Sequence, residues 1–499
     1  MLEISHLTIK VNNKDVIQDF SAYFNAGEKV AVIGEEGNGK STFLKAIADV
    51  CDYAEISGSV QTFSHTLGYL KQSFEEERDI IVEDYLFKDK DNYYEQVADL
   101  YRYLNEFSLP DTILKRKIGS LSGGEKVKTG IMKLLISSAD ILLLDEPTND
   151  LDLSTLLWLE EFIQASDKLI IFVSHDEMLL SRCATCILHM EQIKKKSVCR
   201  VNLSYSDYDT YVEKRLNALS KQDQMAKSDR RQFKEKQERL NRIMQKVEHQ
   251  QRTISRGDPH GGFLLKKHMR NLKAQQRKLD QTELTEKVDV EEGIKFSFED
   301  HILPKGKTVL SLHLEELCVE GKKLSSQINL DIYGQDNICI IGNNGVGKST
   351  LIKKMYEEMK DHRDISLGYM PQNYEDQMDY SLRVIDYLAP SGKKEDITRA
   401  RLYLGNMKFT RDEMLYTIGD ISNGSKAKLF LLKFVLDGVN VLLLDEPTRN
   451  VSPLSNPVIR EALSSFRGCI IAVSHDRKYI EEVPEKVYQL TPDGLFQLQ

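Results

Sequence analysis

Short, wholly apolar runs punctuate this chain, with longer stretches of helical apolar spacing between them. Val30–Ile33, Ile141–Leu144 and Leu169–Val173 contain no polar residue. That is the pattern of strands buried on both faces of a parallel sheet, and the alternation predicts an α/β class. The pattern then repeats. Lys29-Val-Ala-Val-Ile-Gly34 returns as Asn337-Ile-Cys-Ile-Ile-Gly342. Ile141-Leu-Leu-Leu-Asp-Glu-Pro-Thr148 returns as Val441-Leu-Leu-Leu-Asp-Glu-Pro-Thr448, and Ile171-Phe-Val-Ser-His-Asp176 as Ile471-Ala-Val-Ser-His-Asp476. One offset, 300 residues, relates the last two pairs, a period of domain size. Two related domains are expected, at about 1–202 and 305–499, with residues 203–304 as a linker.

The linker has a pattern of its own. Tyr205-Ser-Asp207 opens a polar, helix-prone run to about Arg252, which Asp207 or Ser206 could cap. Phe233, Leu240, Ile243 and Val247 are spaced 7, 3 and 4, a heptad-like stripe. Gly257, Pro259, Gly261 and Gly262 interrupt it, and Leu265, Met269, Leu272 and Leu279 follow at spacings of 4, 3 and 7. Two antiparallel helices are predicted, with a tip at about 253–262. At 1.5 Å per residue the first would reach roughly 60–70 Å.

The 499 residues suggest about three domains, and 29% charged with 41% apolar residues is an ordered composition. No apolar run approaches the ~20 residues of a membrane span, and Met1–Lys10 lacks the features of a signal peptide. A cytoplasmic location is expected. Seven cysteines is an odd count, which fits reduced thiols. Cys183 and Cys186 form a lone CxxC without the second ligand pair of a zinc site, so plain buried thiols are expected. The net charge of −9 hides an asymmetry: residues 211–280 hold 19 Lys+Arg against 8 Asp+Glu, a balance of +11.

Gly34-Glu-Glu-Gly37-Asn-Gly39-Lys40-Ser41 follows a strand and precedes a helical pattern that starts at Thr42. This is the context in which backbone N–H groups curl around a phosphate. Lys40 would meet the β and γ phosphates, and the Ser41 hydroxyl would ligate Mg²⁺. Gly342-Asn-Asn-Gly345-Val-Gly347-Lys348-Ser349, followed by Thr350, repeats the arrangement. Asp145 and Asp445 end apolar strands, where a carboxylate can hold Mg²⁺. Glu146 and Glu446 follow, placed to deprotonate an attacking water. His175 and His475 close the next strand, within reach of a γ-phosphate.

Leu121-Ser122-Gly123-Gly124-Glu125 lies 23 residues before Asp145, counted from Ser122. Together these motifs closely resemble an ATP-binding cassette (ABC) ATPase, over about 390 residues. The resemblance implies two P-loop ATPase domains that face each other head to tail, using ATP and Mg²⁺. Each ATP would lie between one phosphate loop and the Ser-Gly-Gly segment of the other half. It also implies Gln72 and Gln372 as further nucleotide and metal contacts, and Asp152 as part of the loop after the first Asp-Glu pair. The second half departs from the pattern at Ile421-Ser422-Asn423-Gly424-Ser425, and Ser452 stands where the first half has Asp152. Head-to-tail pairing puts both departures on the site of Lys40, Glu146 and His175. Unequal sites are expected, with that of Lys348, Glu446 and His475 hydrolysing faster. An adenine-stacking aromatic is missing near Val11 and Val319, so base selectivity would be loose.

Two cassettes joined by a long charged hairpin are similar to the ABC-F family. The resemblance implies a ribosome-associated ATPase, pairing its cassettes within one monomer, whose linker meets rRNA and tRNA near the peptidyl-transferase centre. Arg252, Arg256, His260, Lys266, Lys267 and Arg270 are the candidate RNA contacts. Asp258-Pro-His-Gly-Gly262 with Leu264-Leu265-Lys266-Lys267 looks like the branch that protects ribosomes from antibiotics. Fifty residues separate Gln72 from Ser122 and Gln372 from Ser422, so no inserted arm is expected, nor any C-terminal extension. The alternatives are a general ABC-F translation factor and, from another class, the ATPase subunit of an importer. A DNA-repair ATPase would call for paired CxxC motifs.

Overall fold

The computed structural model describes the chain except residues 13, 88–92, 150, 194–197, 254–258, 281–302, 320, 363, 408, 450 and 499. In the first half the main sheet runs, edge to edge, Leu67–Leu70, Ile141–Asp145, Leu169–Val173, Lys29–Gly34, Cys186–Ile193, Val198–Ser204. The first five strands are parallel and the last is antiparallel. Ile141, Leu142, Leu143 and Leu144 are each 0% exposed, because both faces of the sheet are covered. An antiparallel sheet of Leu2–Val11, Lys14–Phe24 and Glu55–Gln61 accompanies it. Its alternating Leu2, Ile4, Leu7 and Ile9 share a core with Phe43, Leu44 and Ile47 of the helix Lys40–Ile47.

The second half repeats the order as Leu367–Met370, Val441–Asp445, Cys469–Val473, Asn337–Ile341, Lys486–Thr491, Gly494–Gln497. A hairpin of Thr308–Val319 and Lys322–Tyr333 covers it. In each half the strand before the phosphate loop has neighbours on both sides that arrive by crossovers. The loops at the carboxyl ends of these strands therefore converge on one crevice.

The boundaries shift slightly from those read in the sequence. Val198–Ser204 pairs with Cys186–Ile193, which carries the first sheet past residue 202. Leu303 is buried in the second-half core, so that half starts before residue 305. Met1–Asp209 and Glu291–Gln499 form one compact unit, and Thr210–Val290 forms another.

In the linker a helix of 46 residues, Tyr208–Thr253, starts directly after Asp207 and spans roughly 70 Å. Ion pairs such as Lys227–Asp223 and Arg231–Glu235 line its exposed faces at i,i+4 spacing. A second helix runs Pro259–Asp280. The predicted break at 253–262 is therefore too wide: Pro259, Gly261 and Gly262 are helical. A proline in the first turn loses no intrahelical hydrogen bond, so it starts the helix and does not interrupt it. Val247, Met269 and Leu272 are buried together, with Ile243, Met244 and Leu265 packed around them. Leu240 and Leu279 meet in a shallow groove beside them. The two helices are thus antiparallel along the predicted stripe, while Phe233 is only half-buried. Arg252, Lys266, Lys267 and Arg270 are exposed. His260 lies in the first turn of the second helix, and Arg256 falls outside the described residues. Phe263 and Leu264 are also exposed, at 65% and 51%. Among the described residues no helix is long and apolar enough to cross a membrane.

Candidate functional site

Each phosphate loop bends through left-handed glycines, with Gly37 at φ 82° and Gly345 at φ 79°. Gly34 at φ 152° and Gly342 at φ 155° start the two loops. A Cβ on Gly34 would collide with the Met190 carbonyl, so the loop needs glycine there to leave the strand. Gly39 and Gly347 precede helices that open with Lys40 and Lys348. Lys40 Nζ donates to the carbonyls of Gly34 and Glu35 at 3.0 and 3.1 Å. Lys348 Nζ donates likewise to Gly342 and Asn343 at 2.8 and 3.0 Å. Both lysines are buried, and burial lowers their pKa values. The Thr42 hydroxyl lies 3.2 Å from the Tyr53 hydroxyl, and Thr350 lines the cavity of the second half.

Glu146 and Glu446 sit one residue beyond their strands with φ of 48° and 56°. A non-glycine residue in this region is uncommon and is held by its surroundings. Here the backbone N–H of each donates across to Val173 or Val473. Glu146 Oε2 accepts from Gln72 at 2.8 Å and Asn149 at 2.6 Å, and His175 Nε2 stands 3.5 Å from its Oε1. Glu446 Oε2 accepts from the His475 backbone at 3.2 Å, and His475 Nε2 is 3.9 Å from its Oε1.

The two halves meet head to tail. His175 Nδ1 donates to the Val451 carbonyl of the second half at 2.9 Å. The Gly424 backbone N–H, in the first turn of the helix Asn423–Asp437, donates to the Glu36 carboxylate of the first phosphate loop. Ser422 caps that helix through the Ser425 N–H. On the other side Ser122 caps the helix Gly123–Ile136, with Glu125 closing a capping box. Gly124 packs where a Cβ would strike the Thr155 side chain. A cavity of about 480 Å³ brings Gly123 together with Gly345, Gly347, Lys348, Ser349, Gln372, Asp445, Glu446 and His475. Asp152 caps the helix Leu153–Ala165 and lies close enough to influence Lys348 and His475. Ser452 is buried and makes no such cap.

Residues 17–149 and 325–449 match the family described as ABC transporter. The chain belongs to that family. It is an ATP hydrolase with tandem cassettes. Among its relatives is the uncharacterised ABC transporter ATP-binding protein YkpA of Bacillus subtilis, 25% identical over 100% of this chain and 96% of YkpA. The ATP-binding protein Uup of Buchnera aphidicola is also 25% identical, over 99% of this chain and 81% of its own. Similar solved structures include an archaeal ribosome recycling factor, aABCE1, in complex with the stalk protein aP1, at 16% identity and a TM-score of 0.58. That match covers 96% of this chain and 87% of the other. RNase-L Inhibitor matches at 16% identity and 0.56, over 98% and 90%.

The two cassette sites differ in their electrostatics. Asp145 accepts from Ser41 at 2.9 Å and from the Tyr69 hydroxyl at 2.9 Å. Both oxygens of Asp445 are buried without a hydrogen bond, and the Tyr369 hydroxyl is also unpaired. Burial pushes Asp445 up, with Ser349 close by drawing it back. A buried carboxylate lacking donors, beside a serine hydroxyl and the Gln372 amide, is the oxygen-rich donor set of a hard cation such as Mg²⁺. In the first site Ser41 and Asp145 would have to exchange their mutual bond for the ion.

Burial would raise Glu146, but His175, the Asn149 amide and Lys40 outweigh it and hold Glu146 at about 2. Burial and then the Asp445 charge push Glu446 up to about 8. Burial followed by Lys348 brings His475 down to about 4, so its imidazole is neutral at pH 7. Cys183 and Cys186 are buried, with thiols pushed up to about 12. Val11 and Val319 end their strands, the latter 41% exposed. Sequence reasoning missed Glu36, Tyr69 and Tyr369. The clue to Glu36 was present: the first loop has Glu35-Glu36 where the second has Asn343-Asn344.

The opposite shifts predict separable pH profiles. Glu146→Gln leaves turnover to Glu446, and its rate should climb as pH rises from 6 through about 8, as that carboxyl loses its proton. Glu446→Gln leaves Glu146, already ionised, and its rate should stay flat over the same range. Steady-state ATPase assays from pH 6 to 9 check this, and coincident profiles would refute it. Glu36→Asn should tighten ATP at the first site. Removing an anion from a helix N-terminus is worth about 1 kcal/mol, roughly fivefold in Kd. Fluorescent-nucleotide titration in a Lys348→Ala background measures the change.

Proposed function

We propose that the chain is a ribosome-binding ATPase of the ABC-F type, whose cassette closure on ATP fixes the basic hairpin among rRNA and tRNA. The observation that carries this reading is the hairpin. Two helices, the first of 46 residues, present Arg252, Lys266, Lys267 and Arg270 to solvent. The balance of +11 over residues 211–280 stands against an acidic remainder. Such a density of cations suits a phosphate backbone. A tie between two cassettes needs neither that length nor that charge. The two-cassette fold also serves an archaeal ribosome recycling factor, which is consistent with the reading.

In each composite site ATP would lie between a phosphate loop and the opposing helix N-terminus. Lys348 and the loop N–H groups would hold the phosphates, and Gly123 would complete the cage from the other half. Ser349, Asp445 and Gln372 would hold Mg²⁺, whose charge would offset that of the phosphates. Glu446 would take a proton from the attacking water, whose oxygen bonds to the γ-phosphorus as the bond to ADP breaks. His475, neutral, would orient the γ-phosphate. Glu146 and His175 would act likewise with Lys40, Ser41, Gln72 and Asp145. The first site is the slower of the two: Glu36 occupies its anion cage, and Glu146 is a weak base. ATP binding favours the closed state, and hydrolysis and phosphate release reopen it. With its tip near the peptidyl-transferase centre, the hairpin protects the ribosome from an antibiotic bound there. The exposed Phe263 and Leu264 beside the tip supply apolar surface suited to that place.

The Glu146→Gln, Glu446→Gln double variant should pellet with ribosomes only when ATP is present. Absence of pelleting at low salt would remove the ribosome as target. Charge reversal at Arg252, Lys266, Lys267 and Arg270 should lower ribosome affinity at least about tenfold and flatten its salt dependence. Intrinsic ATPase should survive deletion of residues 253–262, while any gain in antibiotic tolerance on expression should vanish. No gain with the intact chain would favour a general translation factor.

A further inference from the structure

At the centre of the contact between the halves, the charges are inverted. The offset of 300 that carries Asp145 onto Asp445 also carries Glu160 onto Arg460, Glu177 onto Arg477 and Arg182 onto Glu482. The six residues form two ion-pair clusters of three, each crossing between the halves. Arg460 donates to both oxygens of Glu177 in the other half, at 2.6 and 3.1 Å, and its Nε holds Glu482 of its own half at 2.7 Å. Arg477 makes the mirror-image contact, 2.5 Å from Glu160 and 3.1 Å from Asp176 of the first half. Glu160 in turn holds Arg182 at 2.8 Å. Glu160 and Arg460 are each 3% exposed, Glu177 8% and Arg477 9%.

Two related domains would ordinarily pair like with like across a second copy as readily as with each other. Here that pairing fails on charge. Two first halves would bring Glu177 against Glu160, and two second halves Arg460 against Arg477, with only the same-half Arg182 or Glu482 left to offset each pair. Buried like charges are far costlier than exposed ones, so unlike halves are the arrangement left. We propose that this inverted set of six residues is the specificity determinant of cassette pairing, admitting only a first half against a second half. Tethering by the linker then favours the chain's own partner half, because that pairing is intramolecular. The inference concerns pairing alone and holds whatever the hairpin binds.

Three full-length variants test it. The first carries Glu160→Arg, Glu177→Arg and Arg182→Glu, so that both halves bear the second-half set. The second carries Arg460→Glu, Arg477→Glu and Glu482→Arg, so that both bear the first-half set. The third carries all six changes. Each of the first two should remain a monomer of about 57 kDa with ATPase reduced at least tenfold. Mixed one to one, they should assemble into a species of twice that mass and regain activity. The third should match the wild type in mass and rate. Wild-type ATPase in either three-residue variant alone would overturn the proposal, as would a folded but inactive six-residue variant. If the six-residue variant does not fold, Glu177→Arg with Arg460→Glu decides the matter. Recovery over both single variants supports the proposal, and additive losses overturn it.

Discussion

Arg460 and Arg477 of the second half reach into carboxylates of the first, and both nucleotide sites depend on that contact because each is assembled from two halves. Removing one partner from a buried ion pair of this kind costs about 3–5 kcal/mol, a large share of the 5–15 kcal/mol that stabilises an ordinary domain. The residues of this contact follow the histidines of the sites directly: His175 leads into Asp176 and Glu177, and His475 into Asp476 and Arg477. Asp176 also caps the helix Glu177–Cys183, so strand end, histidine and ion pair form one short rigid segment. Any change in how the halves meet is therefore passed to the imidazoles without an intervening flexible link.

Much of this was legible because parallel strands buried on both faces read as unbroken apolar runs, and the duplication supplied an internal comparison. Asp145, Glu146 and His175 stand at strand ends where the runs stop, and the structure places them around one crevice with Lys40. The hairpin stripe was readable for the same reason, since Val247, Met269 and Leu272 recur at helical spacing. What escaped was whatever depends on the other half of the molecule. Glu160 and Arg460 look like solvated helix charges when read along the chain, and only the fold shows that they are buried. Glu36 draws no notice along the chain, because its partner is the Gly424 N–H of the other half. The tip was drawn too wide because glycine and proline were read as breakers, where position decides: Pro259 in a first turn begins a helix.

The two sites show what duplication followed by divergence does to one chemical device. The first loop carries a carboxylate where the second has Asn344, and that carboxylate takes the helix N-terminus at which a γ-phosphate would be caged. Asp145 is satisfied by Ser41 and Tyr69, and Glu146 by His175, Gln72 and Asn149. In the second site the corresponding groups are held apart: Asp445 and Tyr369 lack hydrogen bonds, and Glu446 is raised to about 8. A site whose polar groups are already paired has less to gain from a metal and a nucleotide. A site with a buried, unpaired carboxylate, Asp445, gains its compensation when the cation and phosphates arrive. This difference in pairing is the physical basis for the proposal that the first site is the slower of the two. The ionic contact ties the halves that carry these two unequal sites, since Arg460 and Arg477 each hold a carboxylate of the first half.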